Sequence, residues 1–394
     1  MAWCLDFVKR VSNPSVDPVT TASQPVKFGI LGAAAIAPPA LISPAKSHPE
    51  VQVYAVAARD QKRAEAFAKK HGIEKAYGGS TGYQQLLDDP EVEAVYNPLP
   101  NSLHYECTMK ALAAGKHVLL EKPGADTAEE TREMFKLAES KGLILMEAFH
   151  YRFHPAVQRL KAIVDGGELG AVKHISTSLT VPKGIMRPGD IRYEYELGGG
   201  ALMDMGCYTL SCLRYLSSSE PVSIESAMHE VYVPPSPPSD YVRNVDRRTV
   251  ADLLFPKGVT GTITCDLAMP PTLGVIPKMP QISAVVKCEN GEVELFNFVA
   301  PAIYHWIKVK VVDGNGKAKT RVEKVYRFDG EEKGKEWSTY RYQLEGFVDQ
   351  LKGRKPQTWI TKEDSVANME WIEKIYEKTG LGSRRKSSYV AVTS

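Results

Sequence analysis

The spacing of apolar positions changes near the middle of the chain, and that change divides it. Up to about residue 148, compact apolar runs alternate with amphipathic stretches. Val26 to Leu31, Val51 to Ala58, Val92 to Pro98, His117 to Glu121 and Leu143 to Glu147 read as strands. Between them, Gly82 to Leu87, Asn101 to Ala114 and Glu129 to Ser140 read as helices, the second ended by Gly115. Strands alternating with helices predict a parallel, doubly wound sheet, whose ligands bind outside the carboxyl ends of the strands.

After a helix from about Pro155 to Val164 the pattern turns to longer, alternating, β-branched runs. These are His174 to Val181, Val222 to Val233, Arg248 to Phe255 and Val259 to Leu267. Asn290-Gly291 separates Ile282 to Lys287 from Glu292 to Phe298, and Asp313 to Gly316 separates Tyr304 to Val312 from Arg321 to Phe328. Both separators are hairpin signals. They predict a large, open, mostly antiparallel sheet with one face covered. Two late helices, about Tyr340 to Lys352 and Lys362 to Thr379, supply cover, and Thr361 with Asp364 resembles a capping box. The fold class is therefore α/β, a doubly wound parallel sheet followed by an α+β domain. The expected division is an N-terminal extension and linker over 1–25, a dinucleotide-binding domain over 26–148, a second domain over 149–380 and a mobile tail over 381–394. The proline-rich residues 233–245 read as an exposed loop.

At 394 residues two domains are the natural expectation, and 43% hydrophobic with 24% charged residues is ordinary for a globular chain. A net charge of +2 gives no electrostatic reason to expect nucleic acid or an anionic membrane as partner. The six cysteines form no CxxC pair and no ligand-like spacing with histidine, so they read as reduced thiols, with no metal site. Met1 to Arg10 is apolar on one side but broken by Asp6, Lys9 and Arg10, which favours a short amphipathic helix over a signal peptide. No run reaches the roughly 20 apolar residues of a membrane span. A cytoplasmic protein is the expectation.

Candidate chemistry falls at strand ends. After the first strand, Gly32, Ala34, Ala35, Ile36 and Ala37 approximate the loop whose backbone amides hold a pyrophosphate, with Ala34 at the middle glycine position. After the second strand stands Arg59, with Lys62 and Arg63 behind it, where an NAD enzyme carries an acid for the ribose diol. Cations there suit a 2′-phosphate and point to NADP, while Asp60 keeps NAD open. The bland reading is a solvated helix start. Pro100, Asn101 and His104 follow one later strand, and Glu121, Lys122 and Pro123 end another. A lone strand-end lysine is ordinarily a solvated charge. In the second half, Gly198 to Gly200 precede an apolar run carrying Asp204 and Tyr208. If Ala201 opens a helix, these two share one face near its amino end, where the helix dipole favours negative charge. Taken alone, such a stretch is more often an ordinary buried helix, since buried helices outnumber active sites. Arg152, His154, Arg192 and Tyr193 are candidate substrate residues by position.

In order, these motifs resemble those of the Gfo/Idh/MocA oxidoreductases. The series runs through the Gly32 to Ala37 loop, Ala58-Arg59-Asp60, Pro100-Asn101 with His104, Glu121-Lys122-Pro123, Met146 to Ala148, and Gly198 to Gly200 with Asp204, Gly206 and Tyr208. It is most similar to the branch of dimeric dihydrodiol dehydrogenases and NADP-dependent D-xylose 1-dehydrogenases. The resemblance implies an N-terminal Rossmann domain and a C-terminal open-sheet domain that binds substrate and mediates a homodimer. It also implies that Lys122 and Tyr208 serve beside the nicotinamide with Asp204 in support. Oxidising a carbinol needs a base for the hydroxyl proton. Tyrosine, of ordinary pKa about 10, becomes one when a nearby ammonium and a helix amino end lower that value. Two other readings stand beside this one. One is a redox-neutral enzyme that retains its cofactor and acts by transient oxidation. The other is a non-enzymatic sensor of NADP, against which the Lys122, Asp204 and Tyr208 set argues.

Overall fold

A computed structural model describes residues 24–237, 239, 241–330 and 336–390. The expected helix at Met1 to Arg10, most of the linker and the last four residues of the tail lie outside the described residues.

The described residues form two compact units. One takes those up to Phe153, those between Glu332 and Ala367, and those from Lys386 on. The other takes His154 to Glu331 and Asn368 to Arg385.

In the first unit, β1 (Val26–Leu31), β2 (Val51–Ala58), β3 (Lys75–Gly78), β4 (Ala94–Asn97), β5 (His117–Leu120) and β6 (Leu145–Glu147) form one sheet in the order 3-2-1-4-5-6. Every pairing is parallel. The order reverses between β1 and β4, so the crevice outside their carboxyl ends is the ligand position in such a sheet. Both faces are covered, which is why β1 and β2 are nearly continuously apolar and buried. β3 escaped the sequence pattern because its four residues, Lys75 to Gly78, are half-buried and carry no β-branched side chain.

The second unit holds β7 (Val172–Pro182), β8 (Ser223–Val231), β9 (Asp246–Leu254), β10 (Thr260–Met269), β11 (Gln281–Cys288), β12 (Gly291–Phe296), β13 (Trp306–Val312) and β14 (Ala318–Glu323). Their order is 14-13-12-11-7-10-9-8, antiparallel except where β10 pairs with β7. Alternation along β9 buries Thr249, Ala251 and Leu253 and half-exposes the residues between them. The helix Cys207–Ser217 packs on β7 and β10 and is tied down where Thr177 Oγ1 donates to the Thr209 carbonyl at 2.9 Å. Both expected hairpins form, at Asn290-Gly291 and at Asp313 to Gly316.

The units divide differently from the sequence pattern in three places. The break falls at Phe153 and not at Phe149. The helix Thr339–Leu351 belongs to the first unit, because Phe347 packs on Phe28, with ring centroids 5.8 Å apart, and Gly346 lies against Phe153. Finally, Arg384, in the segment expected to be a mobile tail, is fully buried in the second unit.

Candidate active site

The cofactor loop starts at Gly32, whose φ is +99°. Its N–H donates to the Ala57 carbonyl at 2.8 Å, and a Cβ there would stand 2.9 Å from Leu99 Cδ2 in the segment after β4. Only glycine meets both demands. Ala37 is buried, while Ala35 and Ile36 are exposed. Pro38 and Pro39 open a π-helical turn, Pro38–Ile42, that runs into the short helix Ser43–Lys46. Two prolines remove donors from the turn itself. The loop around Ala35 and Ile36 is thus left to offer amides to an anion.

At the end of β2, Asp60 Oδ1 accepts the Arg63 N–H at 2.8 Å and caps the helix Gln61–His71. The Arg63 guanidinium reaches across to donate to the Ala33 carbonyl at 3.0 Å, which sets a cation against the cofactor loop. Arg59, the first residue after β2, is exposed. Asp60 thus serves as a cap and Arg63 lies against the loop, a donor that fits a phosphorylated ribose.

Glu121 and Lys122 follow β5. The buried Glu121 carboxylate accepts from Tyr96 Oη at 2.6 Å. Lys122 is half-buried, and its ammonium lies near enough to His104 and His150 to help lower both pKa values, after burial as the main cause. His104 holds the β4 and β5 ends together, with ring nitrogens 2.8 Å from the Pro123 and Leu99 carbonyls. Those carbonyls favour a proton on the ring and full burial opposes it. Burial prevails, taking the pKa down to about 4. His104 is therefore a tie within the scaffold. Asn101 begins the single turn Asn101–Leu103, with Pro100 as its cap.

In the second unit the glycine turn leads into a π-helical turn, Leu202–Gly206, and then into the helix Cys207–Ser217. Asp204 lies on the first and Tyr208 in the opening turn of the second, so the stretch is not the uniform α-helix its spacing predicts. Tyr208 is buried. Asp204 Oδ2 accepts from Arg192 Nε at 2.8 Å, and Arg192 Nη1 also donates to Asp190 Oδ1 at 3.0 Å. The carboxylates of Asp204 and Asp190 raise the Arg192 pKa. Arg192 thus holds Asp204 in place.

The other expected substrate residues have local partners. Arg152 pairs with Asp364, and the Asp364 N–H donates to Thr361 Oγ1 at 3.2 Å. His154 is fully buried and caps the helix Pro155–Asp165, its Nδ1 accepting the Ala156 N–H at 3.1 Å. Tyr193 stacks on Tyr232 with ring centroids 3.8 Å apart, and burial pushes its pKa up to about 12.

The sequence pattern does not reveal a buried cluster behind the glycine turn. Asp246 Oδ2 accepts from the Leu202 N–H and from Thr249 Oγ1, each at 2.7 Å, and Asp246 Oδ1 accepts from Tyr376 Oη at 2.8 Å. Arg384 donates from Nε to the Gly199 carbonyl at 2.8 Å, and from Nη2 to Asp246 Oδ1 at 3.1 Å and Tyr376 Oη at 2.8 Å. The run of three glycines is the one signal of it, since it demands a close neighbour without naming it.

A parallel sheet with this strand order and a glycine turn after β1 define a dinucleotide-binding fold. Residues 26–149 match the oxidoreductase family with an NAD-binding Rossmann fold, and residues 157–294 match the GFO/IDH/MocA C-terminal domain. The chain belongs to the Gfo/Idh/MocA oxidoreductases. It is 34% identical to the D-xylose 1-dehydrogenase (NADP(+)) 2 of Haloferax volcanii over 363 residues, which is 90% of this chain and 98% of that one. It is 37% identical to the trans-1,2-dihydrobenzene-1,2-diol dehydrogenase of Macaca fascicularis over 55% of this chain and 61% of the relative. A 3-ketoreductase from Actinomadura kijaniata, solved with NADP and TDP-benzene, superposes with a TM-score of 0.74 at 27% identity, covering 90% of this chain and 98% of its own. Among the described residues no helix is long and apolar enough to cross a membrane.

Proposed function

We propose that the chain is an NADP-dependent dehydrogenase or reductase acting on a carbinol or carbonyl of a sugar or dihydrodiol-like substrate. The observation that carries this reading is the buried Tyr208 at the opening of its helix, one turn after an Asp204 held in place by Arg192. When bound, the nicotinamide supplies the hydride acceptor or donor. In oxidation Tyr208 takes the hydroxyl proton as hydride leaves the same carbon, and in reduction it returns that proton. Asp204 is the supporting carboxylate. Lys122, at the end of β5, orients the reacting oxygen. Arg59 and Arg63 hold the 2′-phosphate, and the loop from Gly32 to Ala37 holds the pyrophosphate. A homodimer through the eight-stranded sheet belongs to the same reading.

The test is an NADP-reduction screen over aldoses, polyols, dihydrodiols and dicarbonyls, followed at the nicotinamide absorbance. Turnover of an aldose such as D-xylose, or of a dihydrodiol, supports the reading. Tightly retained cofactor with substrate conversion and no net absorbance change would replace it with transient oxidation.

A further inference from the structure

The cluster behind the glycine turn lies apart from every residue given a chemical role above, yet it grips the segment that carries Asp204 and Tyr208. Its members come from β9, from the last helix and from the segment after it. The Asp246 and Arg384 side chains have no exposed surface. Arg384 holds the Gly199 carbonyl and Asp246 holds the Leu202 amide, so the two partners of one buried ion pair grip the backbone on either side of Gly200. Tyr376 Oη bridges the pair by donating to Asp246 and accepting from Arg384. Gly200, at φ +136°, has no room for a Cβ: Tyr376 Oη would stand 2.7 Å away, with Asp246 Oδ1 and Arg384 Nη2 closer still.

A buried ion pair is weak evidence for stability, because desolvating both charges offsets much of their attraction. Holding a unique geometry is the better account of a pair that grips one turn from both sides. We propose that Asp246, Tyr376 and Arg384 form a clamp that positions the opening of the Tyr208 helix for proton transfer, with Arg384 and Tyr376 as positioning residues. The proposal rests on Tyr208 being the acid/base of the reaction. Reacting groups must be set to within a fraction of an ångström, and a misplacement of about 1 Å costs about 100-fold in rate. A loosened turn should therefore lower turnover without touching cofactor affinity, which belongs to the first unit.

The experiment compares Tyr376→Phe, which loses only a hydroxyl, and Arg384→Lys, with Arg385→Gln as control. Arg385 is exposed and pairs at the surface with Glu196. Hydrogen exchange of the amides from Gly198 to Tyr208 and kcat on the best substrate of the screen are measured, together with KM for NADP. The expected result is faster exchange confined to that segment and a kcat lowered about tenfold to 100-fold, with KM for NADP and the control at parent values. Faster exchange with parental kcat would overturn the positioning role. Parental exchange in Tyr376→Phe would overturn the clamp, and that variant decides the matter if Arg384→Lys does not fold. A parent protein with no turnover on any substrate would remove the functional reading instead, while the exchange measurement still decides the clamp.

Discussion

Replacing Gly200 by alanine tests how tightly the second unit closes on its glycine turn. Two costs add. At φ +136° an L side chain is strained, by about 1–3 kcal/mol. The new Cβ also falls among Asp246 Oδ1, Arg384 Nη2 and Tyr376 Oη, so the ion pair must open or the backbone must move. Breaking a buried pair costs about 3–5 kcal/mol. The sum, about 4–8 kcal/mol, is comparable with the whole stability of an ordinary domain, about 5–15 kcal/mol. Gly258→Ala is the matched control. Its φ is +75° and nothing lies within 4 Å of its Cβ, so it carries only the backbone term, about 1–2 kcal/mol. Urea unfolding followed by circular dichroism measures both variants. Gly200→Ala should lose at least twice what Gly258→Ala loses, or fail to fold. Equal losses would refute the close packing.

Three further outcomes are expected. Arg59→Asp should weaken NADP relative to NAD by about tenfold to 100-fold, as the loss of a charge-assisted bond of about 1.5–3 kcal/mol does, and an unchanged ratio in cofactor titrations would contradict the assignment. Lys122→Met should depress turnover by about 100-fold while NADP still binds, and parental turnover in steady-state assays would remove Lys122 from the reaction. Burial, aided by nearby Arg341 for His48 and Lys122 for His150, takes both pKa values from 6.5 to about 3, so the unfolded chain binds protons more readily. Below about pH 6.5 the unfolded chain therefore gains protons that the folded one refuses, and stability falls until the pH nears 3, by about 1.4 kcal/mol per pH unit for each histidine. Urea midpoints should be lower at pH 4.5 than at pH 7, and His150→Gln should lessen the difference. Equal midpoints would contradict the burial argument.

The architecture was legible where periodicity carries it. Alternating apolar and amphipathic runs marked the parallel sheet, and Asn290-Gly291 and Asp313 to Gly316 marked two hairpins of the open one, because turn chemistry is local. Gly32 was legible too, since a tight turn after a strand demands that residue. What sequence cannot carry is the identity of a distant partner. Arg152, His154 and Tyr193 had suitable chemistry and position, but their partners Asp364, the Ala156 amide and the Tyr232 ring could not be read from the chain. Arg192 serves Asp204. The clamp was invisible for the same reason: β9, the last helix and the following segment meet only when the unit folds, and a polar C-terminal stretch reads as loose chain until Asp246 gives its arginine a buried partner.

The central claim is that Tyr208 moves the proton of the reaction. Tyr208→Phe keeps the ring and deletes only the hydroxyl, so it separates chemistry from packing. Turnover of the best substrate and melting temperature should be measured on the same preparation. The expected result is a fall in turnover of about 100-fold to 10,000-fold, with NADP affinity and melting temperature near parent values. Near-parent turnover would contradict it and leave Tyr208 a packing residue.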